Sequence, residues 1–413
     1  MRLPRTVAAA AVYGSLRGLL TGRSDRVSRR TGLLAALIAV LALSAVAGLM
    51  TGVRSLAGDP NNAGAELQLF AQEAGPLVVF SEFGPTSDTI WAVDPNDPAA
   101  RIQIARIPHA PDFRIFPSLS PDSAQIAYTV LPADPPRGWD GTAELWLLKV
   151  ANGSTQRLAQ GIDLRITPVW SPASDAVIVR RADQQTGRTE LLRVERSGAL
   201  AVLAGSADGL FPIDLSPDGA WLYYATVSAA GTDLARVSAT GGGAAETLAH
   251  LSDGVARDWR LSPDGSALAY LAQVRVDGGF TFAAQVLDLT TGGVDTPVGV
   301  GVAQFSPVWR QGGLTIGSLD PGSGNGAPLH YVPGAAQAQA VSPLPAAPAL
   351  GAGFDVPLSW SPDSDHLAVR AFQGVSPADP GPSHLVIAGT DGRRHQLSPI
   401  SDSVIAGWLE TAP

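Results

Sequence analysis

Short apolar runs alternate with polar turns along most of the chain, from Leu77 to Leu409. A representative stretch is Asp258-Trp-Arg-Leu-Ser-Pro-Asp-Gly-Ser-Ala-Leu-Ala-Tyr270. In its centre, Pro263 presets φ for the second position of a turn, Asp264 tolerates the third, and Gly265 suits the fourth. The apolar runs on both sides are typical of strands. The stretch therefore predicts two antiparallel strands joined by a tight turn.

This unit recurs, and a large apolar residue stands directly before each turn. We call these residues the repeat marks: Leu119, Trp170, Leu215, Leu261, Trp309, Trp360 and Trp408. Successive marks lie 45 to 51 residues apart. The copy at Trp309 has lost the Ser-Pro of the turn, and the chain ends shortly after Trp408. A period of this length is typical of propellers and other repeat arrays.

Each interval has room for four short strands, with hairpin turns such as Asn152-Gly153 and Asp391-Gly392. Four antiparallel strands per repeat make one propeller blade. The apolar-Ser-Pro-Asp-Gly unit, followed by a β run, resembles the TolB-type, WD-repeat-like (PD40-like) β-propeller family. The resemblance implies the fold over about Leu77 to Leu409. It does not imply one function, because that family contains periplasmic scaffold proteins, propeller domains of peptidases and many anchored proteins.

The two ends of the repeat region complement each other. Residues 77–106 supply three strands without a preceding mark, and residues 404–409 supply a single strand with the mark Trp408. Joining them closes the ring and removes the exposed sheet edges of an open array. We therefore predict an all-β, seven-bladed propeller of four-stranded antiparallel blades over residues 76–413. Six blades is the alternative if the weak repeat at Trp309 or the terminal strands are misread.

An apolar N-terminal run precedes the propeller. Residues 33–53 carry no charge and would span about 31 Å as a helix, which matches a bilayer core. Seven arginines against one acid precede this run, so the positive-inside rule places the N-terminus in the cytoplasm and the propeller outside. We predict a basic cytoplasmic tail (1–32), a transmembrane helix (33–53) and a stalk (54–75). The alternative is a signal peptide cleaved after Ala45-Val46-Ala47.

Composition narrows the classes of chemistry. The chain has no cysteine, which excludes disulfides, thiolate metal sites and a cysteine nucleophile. After residue 54 it carries 36 acidic and 20 basic residues, which argues against nucleic acid as a partner. None of its six histidines has metal-ligand spacing to another. We predict no metal, no cofactor and no catalytic residues.

The candidate site lies at the mouth of the predicted channel. Arg114 and Arg165 stand five residues before a repeat mark and Arg257 stands four before, so all three would enter innermost strands from the loop-rich face. With Asp258 and Asp355 nearby, they form a candidate site for a carboxylate or an acidic peptide terminus. The alternative is local pairing of Arg114 with Asp112 and of Arg165 with Asp163. Trp139, in the long loop of the first repeat, is the candidate exposed aromatic contact.

These observations favour a membrane-anchored, extracytoplasmic propeller that binds without catalysis. It would act as a scaffold or sensor for an envelope protein, a peptide or a glycan. One alternative is a propeller enzyme, such as a metal-dependent lactonase or a lyase. Another is an accessory propeller of a separately encoded hydrolase, since no Gly-x-Ser-x-Gly motif occurs in this chain.

Overall fold

The computed structural model describes residues 53–55, 67, 70, 75–135, 141–183, 186–320, 325–340, 353–374, 376–399 and 402–410. These residues belong to one compact unit, Val53–Pro413. Within them, seven sheets are arranged as propeller blades, each with four antiparallel strands, and one of the sheets carries an additional parallel edge strand. The seven-bladed prediction is therefore confirmed, and the six-bladed alternative is wrong.

Blades 1 to 3 follow one another in chain order. Blade 1 consists of β5 (Phe116–Leu119), β6 (Gln125–Val130), β7 (Ala143–Lys149) and β8 (Thr155–Ile162). Blade 2 consists of β9 (Val169–Trp170), β10 (Ala176–Ala182), β11 (Thr189–Glu195) and β12 (Leu200–Ser206). Blade 3 consists of β13 (Gly209–Leu215), β14 (Trp221–Ser228), β15 (Gly231–Ser238) and β16 (Glu246–Ser252).

Blades 4 to 6 repeat this order. Blade 4 consists of β17 (Ala256–Leu261), β18 (Ala267–Val276), β19 (Gly279–Asp288) and β20 (Val294–Asp295). Blade 5 consists of β21 (Ala303–Arg310), β22 (Gly313–Asp320), β23 (Asn325–Tyr331) and β24 (Gln339–Ala340). Blade 6 consists of β25 (Phe354–Trp360), β26 (His366–Phe372), β27 (Ser383–Gly389) and β28 (Arg394–Gln396). In each of these six blades the first strand is the innermost.

Blade 7 combines both ends of the repeat region. It consists of β29 (Ser403–Leu409), β2 (Leu77–Glu82), β3 (Ser87–Asp94) and β4 (Asp97–Pro108). The C-terminal β29 takes the innermost position and pairs antiparallel with β2, Leu409 facing Leu77. The predicted closure by residues 404–409 is confirmed.

The N-terminal segment also contacts blade 7. β1 (Val53–Ser55) pairs in parallel with residues 101–103 of β4 and adds a fifth strand to the sheet. Leu67 is buried in the apolar cluster between blades 7 and 1, and Phe70 packs against that cluster. Val53, the last residue of the predicted membrane span, thus lies in a strand. The other residues of the predicted span lie outside the described residues, as do those of the predicted cytoplasmic tail.

Among the described residues, no helix is long and apolar enough to span a lipid bilayer.

The core is divided among the junctions between blades. Blades 1 and 2, for example, share a cluster that contains Leu145, Trp170 and Val177. Similar clusters join every other pair of neighbours around the ring. Each fully enclosed large apolar side chain contributes about 1.5–3 kcal/mol, so the junctions hold the ring together.

The repeat marks belong to these junctions. All seven are buried or packed against a buried cluster. The tryptophan marks also bond to the preceding blade: Trp170 Nε1 donates to the Ser118 carbonyl at 2.9 Å, and Trp309 Nε1 donates to the Arg260 carbonyl at 2.9 Å. Tryptophan at this position thus adds a directional link to apolar packing.

The Ser-Pro-Asp turn is stabilised by its serine. In blade 4, Ser262 Oγ donates to Asp264 at 2.6 Å and accepts from the Ala267 amide at 2.9 Å. The Gly265 amide donates to the Ser262 carbonyl, and Gly265 has φ of +73°. The motif is therefore a structural element of the turn, because the side chains of both Ser262 and Asp264 form hydrogen bonds within it.

Candidate functional site

The innermost strands of all blades begin on one face of the ring, whereas the Ser-Pro-Asp turns lie on the opposite, narrow-turn face. We define the channel mouth by residues at or just before the starts of innermost strands: Phe113, Arg114, Arg165, Val255 and Arg257. Trp139, the predicted aromatic contact, lies outside the described residues.

Arg114 forms an ion pair with Asp402, the residue before β29. Each of the two side chains is about one-third exposed, at 33% and 37%. The partly buried Arg370 lies nearby, and its pKa is lowered first by loss of solvent and then by the charge of Arg114. The pair therefore sits where blades 7 and 1 meet, with a second cation behind it. The local alternative, Arg114 with Asp112, is not the pair that forms.

Arg165 is exposed at the start of the segment that leads into blade 2. Its amide donates to Asp163 Oδ1 at 3.0 Å, whereas the other oxygen of Asp163 pairs with Arg180. Within the part of the chain that the structure describes, the Arg165 guanidinium has no carboxylate within ion-pair distance. Asp163 therefore forms its ion pair with Arg180, and the predicted local ion pair between Arg165 and Asp163 does not form.

Arg257 lies over the ring of Phe282, with 4.3 Å from its Cζ to the ring centroid, and its Nη1 is 3.8 Å from Asp258 Oδ2. A register shift between Arg257 and Arg260 inserts one extra residue into β17 relative to blade 1. The amides of Ala256 and Ile115 make equivalent bonds, to Thr232 and Asp88. Arg257 therefore corresponds to Phe116, two residues further into the strand than Arg114.

The two predicted acids have different surroundings. Asp258 adopts a left-handed conformation, with φ of +56°, beside the shift in β17. Asp355 is 2% exposed and accepts two hydrogen bonds from Arg394, at 2.6 and 2.8 Å. Asp355 is thus already neutralised within its blade and presents no charge to a ligand.

Sequence reasoning missed the apolar part of this face. Phe113 is 46% exposed, Val255 is 45% exposed, and Phe280, at the tip of the β18–β19 hairpin, is 66% exposed. It also missed Asp402 as the partner of Arg114. Neither feature has a signal in the repeat pattern, because both depend on how distant strand ends meet around the ring.

One histidine is buried at the junction of blades 7 and 1. His109 Nε2 lies 2.9 Å from Asp88 Oδ1, and His109 Nδ1 lies 2.8 Å from the Ala110 carbonyl. Burial raises the pKa of Asp88. The hydrogen bonds from the amides of Ile115 and Gly84 and the interaction with His109 act in the opposite direction and offset part of this increase. Asp88 takes the place of Thr189 and Thr232 in other blades, which bond to the next innermost strand in the same way. The pair of Asp88 and His109 therefore connects blades 7 and 1, as a threonine side chain connects neighbouring blades elsewhere in the ring.

No group of three or more histidine, aspartate or glutamate side chains with metal-site geometry occurs among the described residues.

No protein-family model and no curated protein matches the sequence. Several solved structures are similar at low identity. The propeller domain of the trilobed protease from Pyrococcus furiosus matches with a TM-score of 0.52 and 12% identity, over 78% of this chain and 94% of that chain. An oligogalacturonate lyase in complex with manganese matches with a TM-score of 0.51 and 13% identity, over 78% and 84%.

TolB from Acinetobacter baumannii is also similar, with a TM-score of 0.44 and 15% identity, over 62% of this chain and 61% of the TolB chain. At these identities the comparisons concern the fold alone. The chain has a seven-bladed β-propeller fold, and the solved structures that it resembles include TolB and propellers of enzymes.

Proposed function

We propose that this chain is a non-catalytic binding module whose partner docks at the channel mouth. The observation that carries the proposal is the mixture of exposed apolar and cationic side chains on this one face. Phe113, Val255 and Phe280 are exposed there together with Arg165 and Arg257. Exposed apolar side chains beside arginines are typical of protein and peptide contacts.

The partner would present acidic groups. The arginines that remain accessible on this face attract an anionic ligand there, although the domain as a whole is acidic. A peptide carboxylate would gain charge-assisted hydrogen bonds of about 1.5–3 kcal/mol each from such donors. An envelope protein or peptide with an acidic, partly apolar segment meets both requirements.

We further propose that the predicted span, up to the residue before Val53 of β1, anchors the chain in a membrane with the propeller outside. The uncharged run and the arginines before it support this topology. A reporter fused after Pro413 should be active only outside the cytoplasm. A mature protein that begins near Gly48 would show instead that the segment is removed.

The binding proposal is tested by crosslinking the full-length protein in its own membrane. The variant Arg114→Ala/Arg165→Ala/Arg257→Ala should lose its crosslinked partner, and capture by the wild type should weaken as salt rises. Arg196→Ala/Arg393→Ala is the matched control, because both arginines are exposed on the narrow-turn face. Equal capture by the triple variant and the wild type would refute the proposal.

A further inference from the structure

A groove of about 600 Å³ lies between the outer parts of blades 7 and 1. Among the described residues, one wall is formed by residues 103–108 of β4, and the other wall includes Tyr128, Glu144 and Trp146 of blade 1. A β-carbon at Gly153 would lie 3.0 Å from the Ile104 carbonyl oxygen, so the β7–β8 turn narrows the groove at that end. The volume lies within the range of small-molecule sites.

Tyr128 has a buried side chain whose hydroxyl group lacks a protein partner. The residue is only 3% exposed. In the described part of the chain, no group forms a hydrogen bond with Tyr128 Oη. The oxygen is not fully enclosed by protein, so the small exposed part of the side chain opens into the groove that Tyr128 lines. Buried hydroxyl groups normally have a hydrogen-bond partner, so this one is available to a ligand.

A comparison with blade 4 explains the missing partner. Tyr128 and Tyr270 occupy equivalent positions, each two residues after the residue that pairs with the repeat mark. Tyr270 faces Gln285 on the next strand, and its hydroxyl donates to Gln285 Oε1 at 2.8 Å. Tyr128 faces Trp146 instead, and an indole has no acceptor to offer. Blade 1 therefore has a flat apolar ring where blade 4 has the acceptor.

Glu144 places an acceptor beside this donor. It lies on the same face of blade 1 as Trp146, as a diagonal neighbour of Tyr128. Its Oε1 accepts from Arg157 Nη1 at 2.8 Å and its Oε2 accepts from Trp146 Nε1 at 2.9 Å. Each carboxylate oxygen can accept a further hydrogen bond. Burial, and then the negative charge of Glu144, raise the pKa of Tyr128, so its hydroxyl is protonated at neutral pH and can donate.

These groups restrict the chemistry of a ligand. The Tyr128 hydroxyl pairs with an acceptor, and Glu144 pairs with a donor. An anionic acceptor would be repelled by Glu144, whereas Arg157 offsets the attraction of Glu144 for a cation. A neutral amide carries a carbonyl oxygen and an N–H group on adjacent atoms, so it can serve both side chains without bringing charge. When the amide is part of a flat ring, the ring can also stack on the indole of Trp146.

We propose that the groove between blades 7 and 1 binds a neutral, planar cyclic amide. The carbonyl oxygen of the ligand accepts from Tyr128, its N–H donates to Glu144, and its ring packs on Trp146. The site is separate from the channel mouth and does not depend on the function proposed there.

The test titrates the full-length protein with 2-pyridone, uracil and hypoxanthine, each to about 5 mM, by saturation-transfer NMR. The N-methylated form of each compound keeps the carbonyl and the ring but lacks the N–H group. Benzoate and benzamidinium serve as anionic and cationic rings of similar size. At least one cyclic amide should bind, and its N-methylated form should bind about tenfold more weakly or worse. Binding by none of the three, equal binding by the methylated forms, or tighter binding of benzoate or benzamidinium would overturn the proposal.

Two variants locate the site. Tyr128→Phe removes only the hydroxyl group, and it should weaken binding about fivefold or more while the melting temperature is kept, because no described residue bonds to that group. Tyr270→Phe is the matched control at the equivalent position of blade 4, and it should bind normally although it loses the bond to Gln285. Undiminished binding by Tyr128→Phe would overturn the proposal. The channel-mouth triple variant should bind the cyclic amide as the wild type does, so the two proposals can fail separately.

Discussion

The indole Nε1 of Trp408 donates a hydrogen bond of 3.0 Å to Ser359 Oγ, and this bond connects the C-terminal strand β29 to the innermost strand of blade 6. Trp408 also packs against the apolar cluster that blades 6 and 7 share. Because β29 pairs with β2 from the other end of the repeat region, hydrogen bonds and side-chain packing close the ring at blade 7. The bond lies at the point where the ends of the propeller meet.

We predict that this hydrogen bond stabilises the closed ring measurably. Trp408→Phe and Ser359→Ala should each lower the free energy of unfolding by about 1 kcal/mol, because each removes one partner. The double variant should cost about 0.5–1.5 kcal/mol less than the sum of the single variants. Chemical denaturation of all four proteins measures this coupling. Additive effects would show that the bond contributes nothing to closure.

A second prediction concerns the close contact of blades 5 and 6. A β-carbon at Gly317 would lie 2.6 Å from Pro357 Cδ and 2.8 Å from the Asp355 carbonyl oxygen. Gly317→Ala should therefore force the blades apart and destabilise the protein by about 1–3 kcal/mol. Gly279→Ala is the control, since no heavy atom lies within 4 Å of its β-carbon position. Equal melting temperatures for the two variants would contradict this account of the contact.

The apolar repeat predicted the seven blades, the composite blade and the burial of the marks. These features follow from periodic burial, which recurs in every copy of the unit. Local irregularities were not predictable in this way. For example, β18 and β19 extend to a two-residue turn at Asp277-Gly278, where Gly278 has φ of +89°.

The site was predicted less completely than the fold. The position of Arg257 depends on a register shift that the spacing of apolar residues does not encode. The partner of Arg114 is Asp402, which is distant in sequence and is brought near by ring closure.

A third prediction uses the fourth position of the Ser-Pro-Asp turns. Ser364 has φ of +61° where blades 3 and 4 have glycine. Ser364→Gly should raise the free energy of unfolding by about 0.5–1 kcal/mol, because glycine adopts this conformation without steric strain. Ser174 has φ of +57°, but its Oγ accepts from the Asp122 amide, so Ser174→Gly should gain less or lose stability. Thermal denaturation compares them, and a loss of stability in Ser364→Gly would show that strain is absent.

The last prediction concerns pH and two carboxylates of blade 3. Asp214 lies in the innermost strand, just before the mark Leu215, and its side chain is exposed to solvent there. The inner strands around it displace enough solvent to raise the pKa of Asp214 to about 6. The hydrogen bond from the Leu215 amide and the charge of Arg260 lower this pKa but do not cancel the increase. Asp218, in the adjoining turn, accepts from Ser216 and the Ala220 amide, and these bonds lower the pKa of Asp218.

The two shifts have opposite consequences for stability. A raised pKa in the folded state favours folding below the unfolded pKa of 3.8, and this contribution is lost as pH rises through about 6. Asp214→Asn should therefore gain stability relative to the wild type between about pH 4 and pH 7. Asp218→Asn should lose stability at neutral pH, and its difference from the wild type should disappear as pH falls below 3.8, because the bonds to the ionised Asp218 are then lost in both proteins. Melting temperatures of the three proteins from pH 3 to pH 8 measure both effects. If the difference between Asp214→Asn and the wild type does not change with pH, the walls around Asp214 do not desolvate it, and the carboxyl group titrates as it does in the unfolded chain.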